Sequence, residues 1–245
     1  MMIRILAVLT LLGGLVPALA SAQSTVPVLP PGLHVQTLER ANAPAVGYAL
    51  AIPRTYSNTS PVPLVLALHF GVQGGSSEGA GRDVVGILIA PGLAELGAII
   101  VAPDSIDGQS WSTPENEAAV LALLDQVIRS YRLDPKKVIV TGFSMGGMGT
   151  WHFAGKFPER FAAAVPVAGR PGAMPAGGWR VPVFAVHSRR DELVPLGPAQ
   201  QRIDELKRGN VAAELVILDR PTHFNTGGHT EGLKQAVPWL RQILK

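Results

Sequence analysis

Ser144 stands in the pentapeptide Gly142-Phe143-Ser144-Met145-Gly146, between the β-branched run Val138–Thr141 and the helix-like stretch that follows. Glycines on either side of a serine permit a sharp strand-to-helix bend, because no Cβ crowds it. The helix starting after such a bend points unpaired N–H groups at the hydroxyl, a field that favours a developing oxyanion. The chemistry implied is nucleophilic attack by Ser144 on a carbonyl carbon. A serine hydroxyl is inert at its free pKa, so a base must activate it and a carboxylate must orient the base, in the chain order serine, acid, histidine.

Asp191 and Asp219 lead the downstream acids that meet that order. Asp191, in VPVFAVHSRRDELVP, follows a strand-like run and lies in a loop closed by Val194-Pro195; Asp219, in LVILDRPTH, is only four positions before His223. Asp191 is the preferred reading, with an ordinary loop or helix-start acid as its bland alternative. Among the histidines, His187 precedes Asp191 and breaks the order, and His152 falls inside the helix after the bend. His223, just after the last strand-like run, is preferred as the base over His229, which sits near the start of the final helix. Oxyanion donors are expected from the backbone of Met145 and from the loop in LVLALHFGVQGG, where Phe70 is the first choice and Gly71 the alternative. His69 is expected to end a buried strand and brace that loop. Trp111 and Phe224 are candidates to line an acyl or aryl pocket, with plain packing an equal reading for Trp111.

These residues need a scaffold that brings them together over a span of 154 positions, from residue 70 to residue 223. Apolar runs of strand length recur at 46–52, 64–69, 98–102, 138–141, 163–167, 181–187 and 215–218, and helical spacing marks 115–131, 145–156, 197–208 and 230–244. Strands apolar on both faces, alternating with helices, imply an α/β fold with a mostly parallel central sheet and helices on both faces. Ligands of such sheets bind outside the carboxyl ends of the strands, where the bend, Asp191 and His223 are all placed.

Composition narrows the function further. The chain of 245 residues contains no cysteine, which excludes a thiol nucleophile, disulfides and a cysteine zinc site. The triad chemistry requires no metal or organic cofactor. The net charge of +3 is spread out, with no basic run longer than pairs such as Lys136-Lys137 and Arg189-Arg190, so no nucleic-acid partner is expected. Residues 1–22 read as a signal peptide: Arg4, an apolar middle from Ile5 to Val16, and Ala20-Ser21-Ala22 before Gln23. Gly13, Gly14 and Pro17 interrupt the run, which argues against a lasting membrane span. Residues 23–245 are expected to form one domain, secreted or periplasmic, and no oligomeric state is indicated.

The blocks PLVLALHFG, DPKKVIVTGFSMGGMGTWHFAGKFPERFAAAVPVAG, VPVFAVHSRRDELVP and THFNTGGHTEGLKQAVPWL together resemble secreted α/β-hydrolase esterases. The resemblance is to the polyhydroxybutyrate-depolymerase, feruloyl-esterase and phospholipase/carboxylesterase type, including the prolyl-oligopeptidase-like group. It implies an α/β-hydrolase fold, Ser144, Asp191 and His223 as a catalytic triad, and a small-molecule or polymeric ester substrate. Many relatives read His-Gly where this chain has His69-Phe70-Gly71. A peptidase is the nearest alternative, although the large access-restricting domain of prolyl oligopeptidases has no room here. A catalytically silent binding protein of the same fold is the alternative from another class.

Overall fold

The computed structural model describes residues 28–173 and 176–245; the expected signal peptide lies outside the described residues. Eight strands form one sheet: β1 (Gly32–Arg40), β2 (Ala43–Ile52), β3 (Val62–Leu68), β4 (Ile99–Pro103), β5 (Leu133–Phe143), β6 (Ala163–Val167), β7 (Val183–Arg190) and β8 (Ala213–Thr222). Their spatial order is β1-β2-β4-β3-β5-β6-β7-β8. β3 to β8 run parallel, and β2 pairs antiparallel with both β1 and β4. β4 and β6 are buried along their whole length, as expected of parallel strands covered on both faces.

Alternation along each strand divides the core. In β3, Leu64, Leu66 and Leu68 point to one face and Val65 and Ala67 to the other. The first face is covered by α3 (Pro114–Ser130), α4 (Met145–Lys156) and α5 (Leu196–Arg208), through residues such as Leu123, Phe153 and Ile203. The second is covered by α6 (Thr230–Ile243) and by an irregular helical stretch. That stretch comprises α1 (Ala80–Val84), a π-helical turn over Val85–Ile89, and α2 (Ala90–Leu93). A sheet sandwiched in this way buries its apolar strands without leaving a free face.

The four expected helices are present within a residue or two of their predicted limits, and all seven expected strands are found. Two elements departed from expectation. β1 is not among the expected strands, yet from Gly32 onward the chain pairs with β2 as an edge hairpin. The prolines Pro30 and Pro31 precede the ladder, so they remove no donor from it. The stretch 80–93 was not anticipated as helical because its run VVGILIAPGL is apolar on all sides, which hides the amphipathic period.

β3 lies at the reversal of the strand order. The chain leaves it toward β4 on one side, and β5 occupies the other, so the strand order reverses between the carboxyl ends of β3 and β5. The crevice at this reversal is the expected ligand site of an open parallel sheet.

Candidate active site

β5 ends at Phe143 and α4 begins at Met145, leaving Ser144 alone at the bend with φ 57° and ψ −113°. A positive φ is costly for a residue with a side chain, and it persists here because the surroundings enforce it. The Ser144 N–H donates to the carbonyl of Val167 at 3.0 Å, and the Ser144 carbonyl accepts from Met148 N at 2.9 Å. A Cβ added at Gly146 would lie 1.9 Å from the Leu68 carbonyl oxygen, so the first turn of α4 packs backbone to backbone on the end of β3. That contact explains a glycine in a helix, where it otherwise costs about 1 kcal/mol relative to alanine. It also brings the loop after β3 beside Ser144: Phe70, Gly71 and Met145 line one cavity with it.

His223 follows the last residue of β8. Its Nε2 lies 2.8 Å from Ser144 Oγ, and its Nδ1 lies 2.9 Å from both carboxylate oxygens of Asp191. A carboxylate only accepts, so Nδ1 carries the proton and Nε2 is free to accept from the serine hydroxyl. Asp191 is fully buried. Its Oδ1 accepts from the backbone N–H groups of Leu193 (3.1 Å) and Val194 (2.7 Å), and its Oδ2 lies 3.5 Å from His187 Nε2. These partners offset much of the cost of burying the carboxylate. Three residues expected as nucleophile, acid and base, separated by up to 79 positions, are thus within hydrogen-bond reach of one another.

The same loop holds His223 from a second side. Glu192 Oε2 accepts the backbone N–H of His223 at 2.9 Å, and that bond is the main reason the Glu192 carboxyl is held below its usual range. The last β7–β8 rung pairs Arg190 with Thr222, so the first N–H beyond the ladder finds a side-chain acceptor instead of a strand. Neither Glu192 nor the contact of His187 with Asp191 was anticipated from the sequence. Adjacency to Asp191 is the only signal for Glu192, and chain order had set His187 aside as a base.

His187 Nε2 also lies 2.8 Å from the Val194 carbonyl, which can only accept, so His187 donates from Nε2. Burial pushes His187, His229 and His69 below the ordinary histidine range, consistent with neutral, structural imidazoles. His229 sits behind the site with its ring 5.1 Å from that of Phe143, which is also 5.1 Å from that of His223. It does not touch Ser144. His152 instead bonds Glu117 at 2.5 Å on α3. Asp219 pairs with Arg189 at the surface, its side chain 79% exposed.

The cavity over Ser144 has a volume of about 620 Å³ and is walled by Phe70, Met145, Met148, Arg170, Leu193 and Phe224. Its size lies in the ordinary range for a small-molecule pocket. Phe224, 77% exposed, stands at its mouth. The reading of Trp111 as a substrate-pocket residue is corrected: Trp111 is only 1% exposed and is absent from the cavity wall. The loop before α3 tucks its indole under the end of β3, where Nε1 finds the His69 carbonyl as an acceptor at 3.0 Å. His69 is fully buried and braces the loop, its Nε2 accepting from Ser105 N at 3.0 Å.

Residues 86–231 match the family model described as the dienelactone hydrolase family, which covers more than half of the chain. The chain belongs to this family. Among curated proteins it is similar to Protein usf of Aquifex pyrophilus, 32% identical over 120 residues, covering 42% of this chain and 52% of that protein. It is also similar to the bifunctional acetylxylan esterase/xylanase XynS20E of Neocallimastix patriciarum, 33% identical over 103 residues, covering 40% of this chain and 15% of that protein. The chain therefore spans about half the length, or less, of these curated relatives. Among solved structures, a thermostable esterase superposes with a TM-score of 0.70 at 21% identity, covering 86% of this chain and 62% of that one. That likeness shows the shared α/β-hydrolase fold. Within the described residues, no helix is long and apolar enough to cross a membrane.

Proposed function

We propose that this dienelactone-hydrolase-family protein is a serine esterase that cleaves carboxylic esters through an acyl-enzyme formed on Ser144. The observation that carries the reading is the unbroken relay from Ser144 Oγ to His223 to buried Asp191, at 2.8 and 2.9 Å, opening onto a single cavity. His223 Nε2 takes the proton from Ser144 as Oγ attacks the ester carbonyl, then gives it to the departing alcohol. Asp191 holds the imidazole in the required tautomer and stabilises the imidazolium that forms. The N–H of Met145, in the first turn of α4 and lacking an intrahelical acceptor, and the N–H of Phe70 bind the oxyanion. Water then resolves the acyl-enzyme by the same route. The family assignment and the relative named as an acetylxylan esterase support ester hydrolysis over amide hydrolysis.

The proposal includes export, on the strength of the leader-like residues 1–22 preceding one catalytic domain. The test is hydrolysis of para-nitrophenyl esters from acetate to octanoate by the mature protein beside Ser144→Ala. Turnover by the native protein and a loss of at least about 10⁴-fold in the variant are expected. Equal rates in the two proteins would overturn the assignment of Ser144.

A further inference from the structure

Trp111 is buried yet donates a hydrogen bond to the segment that carries Phe70, the second of the two proposed oxyanion donors. Phe70 belongs to two peptide units, and both have their carbonyls held. The carbonyl of His69 accepts from Trp111 Nε1 at 3.0 Å, and the carbonyl of Phe70 accepts from His69 Nδ1 at 2.6 Å. His69 must donate from Nδ1 because its Nε2 already accepts the Ser105 N–H at 3.0 Å. Indole and imidazole brace each other edge to face, with ring centroids 4.9 Å apart. The seat of the indole is itself rigid: a Cβ at Gly149 of α4 would come within 2.7 Å of Trp111 Cβ.

The C=O and N–H of a trans peptide point in opposite directions in one plane. Holding the His69 carbonyl on the Trp111 side therefore turns the Phe70 N–H to the opposite side. Phe70 and Met145 both wall the cavity above Ser144. We propose that Trp111 is a positioning residue for the oxyanion hole: its indole N–H locks the His69–Phe70 peptide in the orientation that offers the Phe70 N–H to the forming oxyanion. The proposal rests on the serine-esterase reading above. Without the indole donor, the peptide unit can rotate about its flanking torsions and present its carbonyl where negative charge develops, which opposes the reaction instead of assisting it.

Two variants remove the donor, and the second also keeps the bulk. Trp111→Phe retains a ring, and a benzothienylalanine at 111 replaces the indole N–H by sulfur at nearly unchanged shape, which protects the test if the phenylalanine variant fails to fold. Both are expected to lower kcat by about 10- to 100-fold, less than outright removal of an oxyanion donor, with KM within about twofold. Affinity for an alkylboronic acid, which forms a tetrahedral adduct on the serine, should weaken by the same factor as kcat/KM. The acid limb of the pH profile should not move, because the base is untouched. Native kinetics in the sulfur variant would overturn the proposal. So would a rise in KM with unchanged boronic acid affinity, which would mark Trp111 as a packing residue only. Native protein and Ser144→Ala run alongside separate the two levels: no serine-dependent turnover sinks the esterase reading itself, whereas serine-dependent turnover with indifferent Trp111 variants sinks this inference alone.

Discussion

The two halves of the site are built from different materials. On the serine side, Ser144 and the first turn of α4 are placed by backbone packed on backbone: Gly146 against Leu68, and a strained φ held by the Val167 carbonyl. On the base side, His223 is placed by side-chain hydrogen bonds and charge, from Asp191 to the imidazole and from Glu192 to the main chain. Steric placement does not change with pH and tolerates no added atom. Polar placement tolerates small changes of shape and responds to protonation and to the loss of an acceptor. The division suits the roles, since the attacking atom must stay fixed while the base must exchange a proton and accommodate charge.

The comparison can be broken most severely at Asp191. Asp191→Asn is expected to leave the fold intact and to lower kcat by about 10⁴-fold, because the amide favours the wrong tautomer of His223. Asp219→Asn, which touches only Arg189, should stay within about twofold, and the pair measured side by side discriminates the two acids. Next comes the steric side: Gly146→Ala must displace the Leu68 backbone and should cost about 3 kcal/mol of stability, read from urea unfolding. A stability loss no larger than that of an ordinary helix surface substitution would contradict the backbone-packed description.

Acid sharpens the difference further. Burial lowers the pKa of His69, His187 and His229, so below about pH 6.5 the unfolded chain binds protons that the folded chain refuses. Their contribution is intact above that value and is lost as pH falls toward the depressed folded values. The slope is at most about 1.4 kcal/mol per pH unit for each histidine. Denaturant midpoints measured from pH 7.5 to 5 should fall accordingly; a flat profile would mean these imidazoles accept protons in place. The smallest effect is expected at Glu192, which solvent screens. Glu192→Ala should lower kcat by about threefold, and Glu192→Gln, which retains an accepting oxygen, should remain near native.

Much of this site was legible before any coordinates. A glycine-flanked serine between a β-branched run and a helical run, followed by an acid and a histidine after later strands, follows from local rules of bend chemistry and chain order. Trp111 was not legible in the same way. A tryptophan in a polar loop reads equally as a pocket wall or as packing, and only the fold brings its indole to the His69 carbonyl, 42 positions away in the chain. The helical stretch after Gly79 also escaped, since uniform apolarity carries no period.

The sequence by itself determined the type of chemistry, the α/β alternation and the order of the reacting groups, because turn geometry, hydrophobic period and side-chain chemistry are local properties. Only the tertiary structure decided that Asp191 and not Asp219 meets His223, that Glu192 and His187 support them, and that Trp111 bonds the His69 carbonyl and does not wall the cavity. Those outcomes depend on which strand ends become neighbours in the β3-β5-β6-β7-β8 order, and on hydrogen bonds between residues far apart in the chain, whose partners no local pattern specifies.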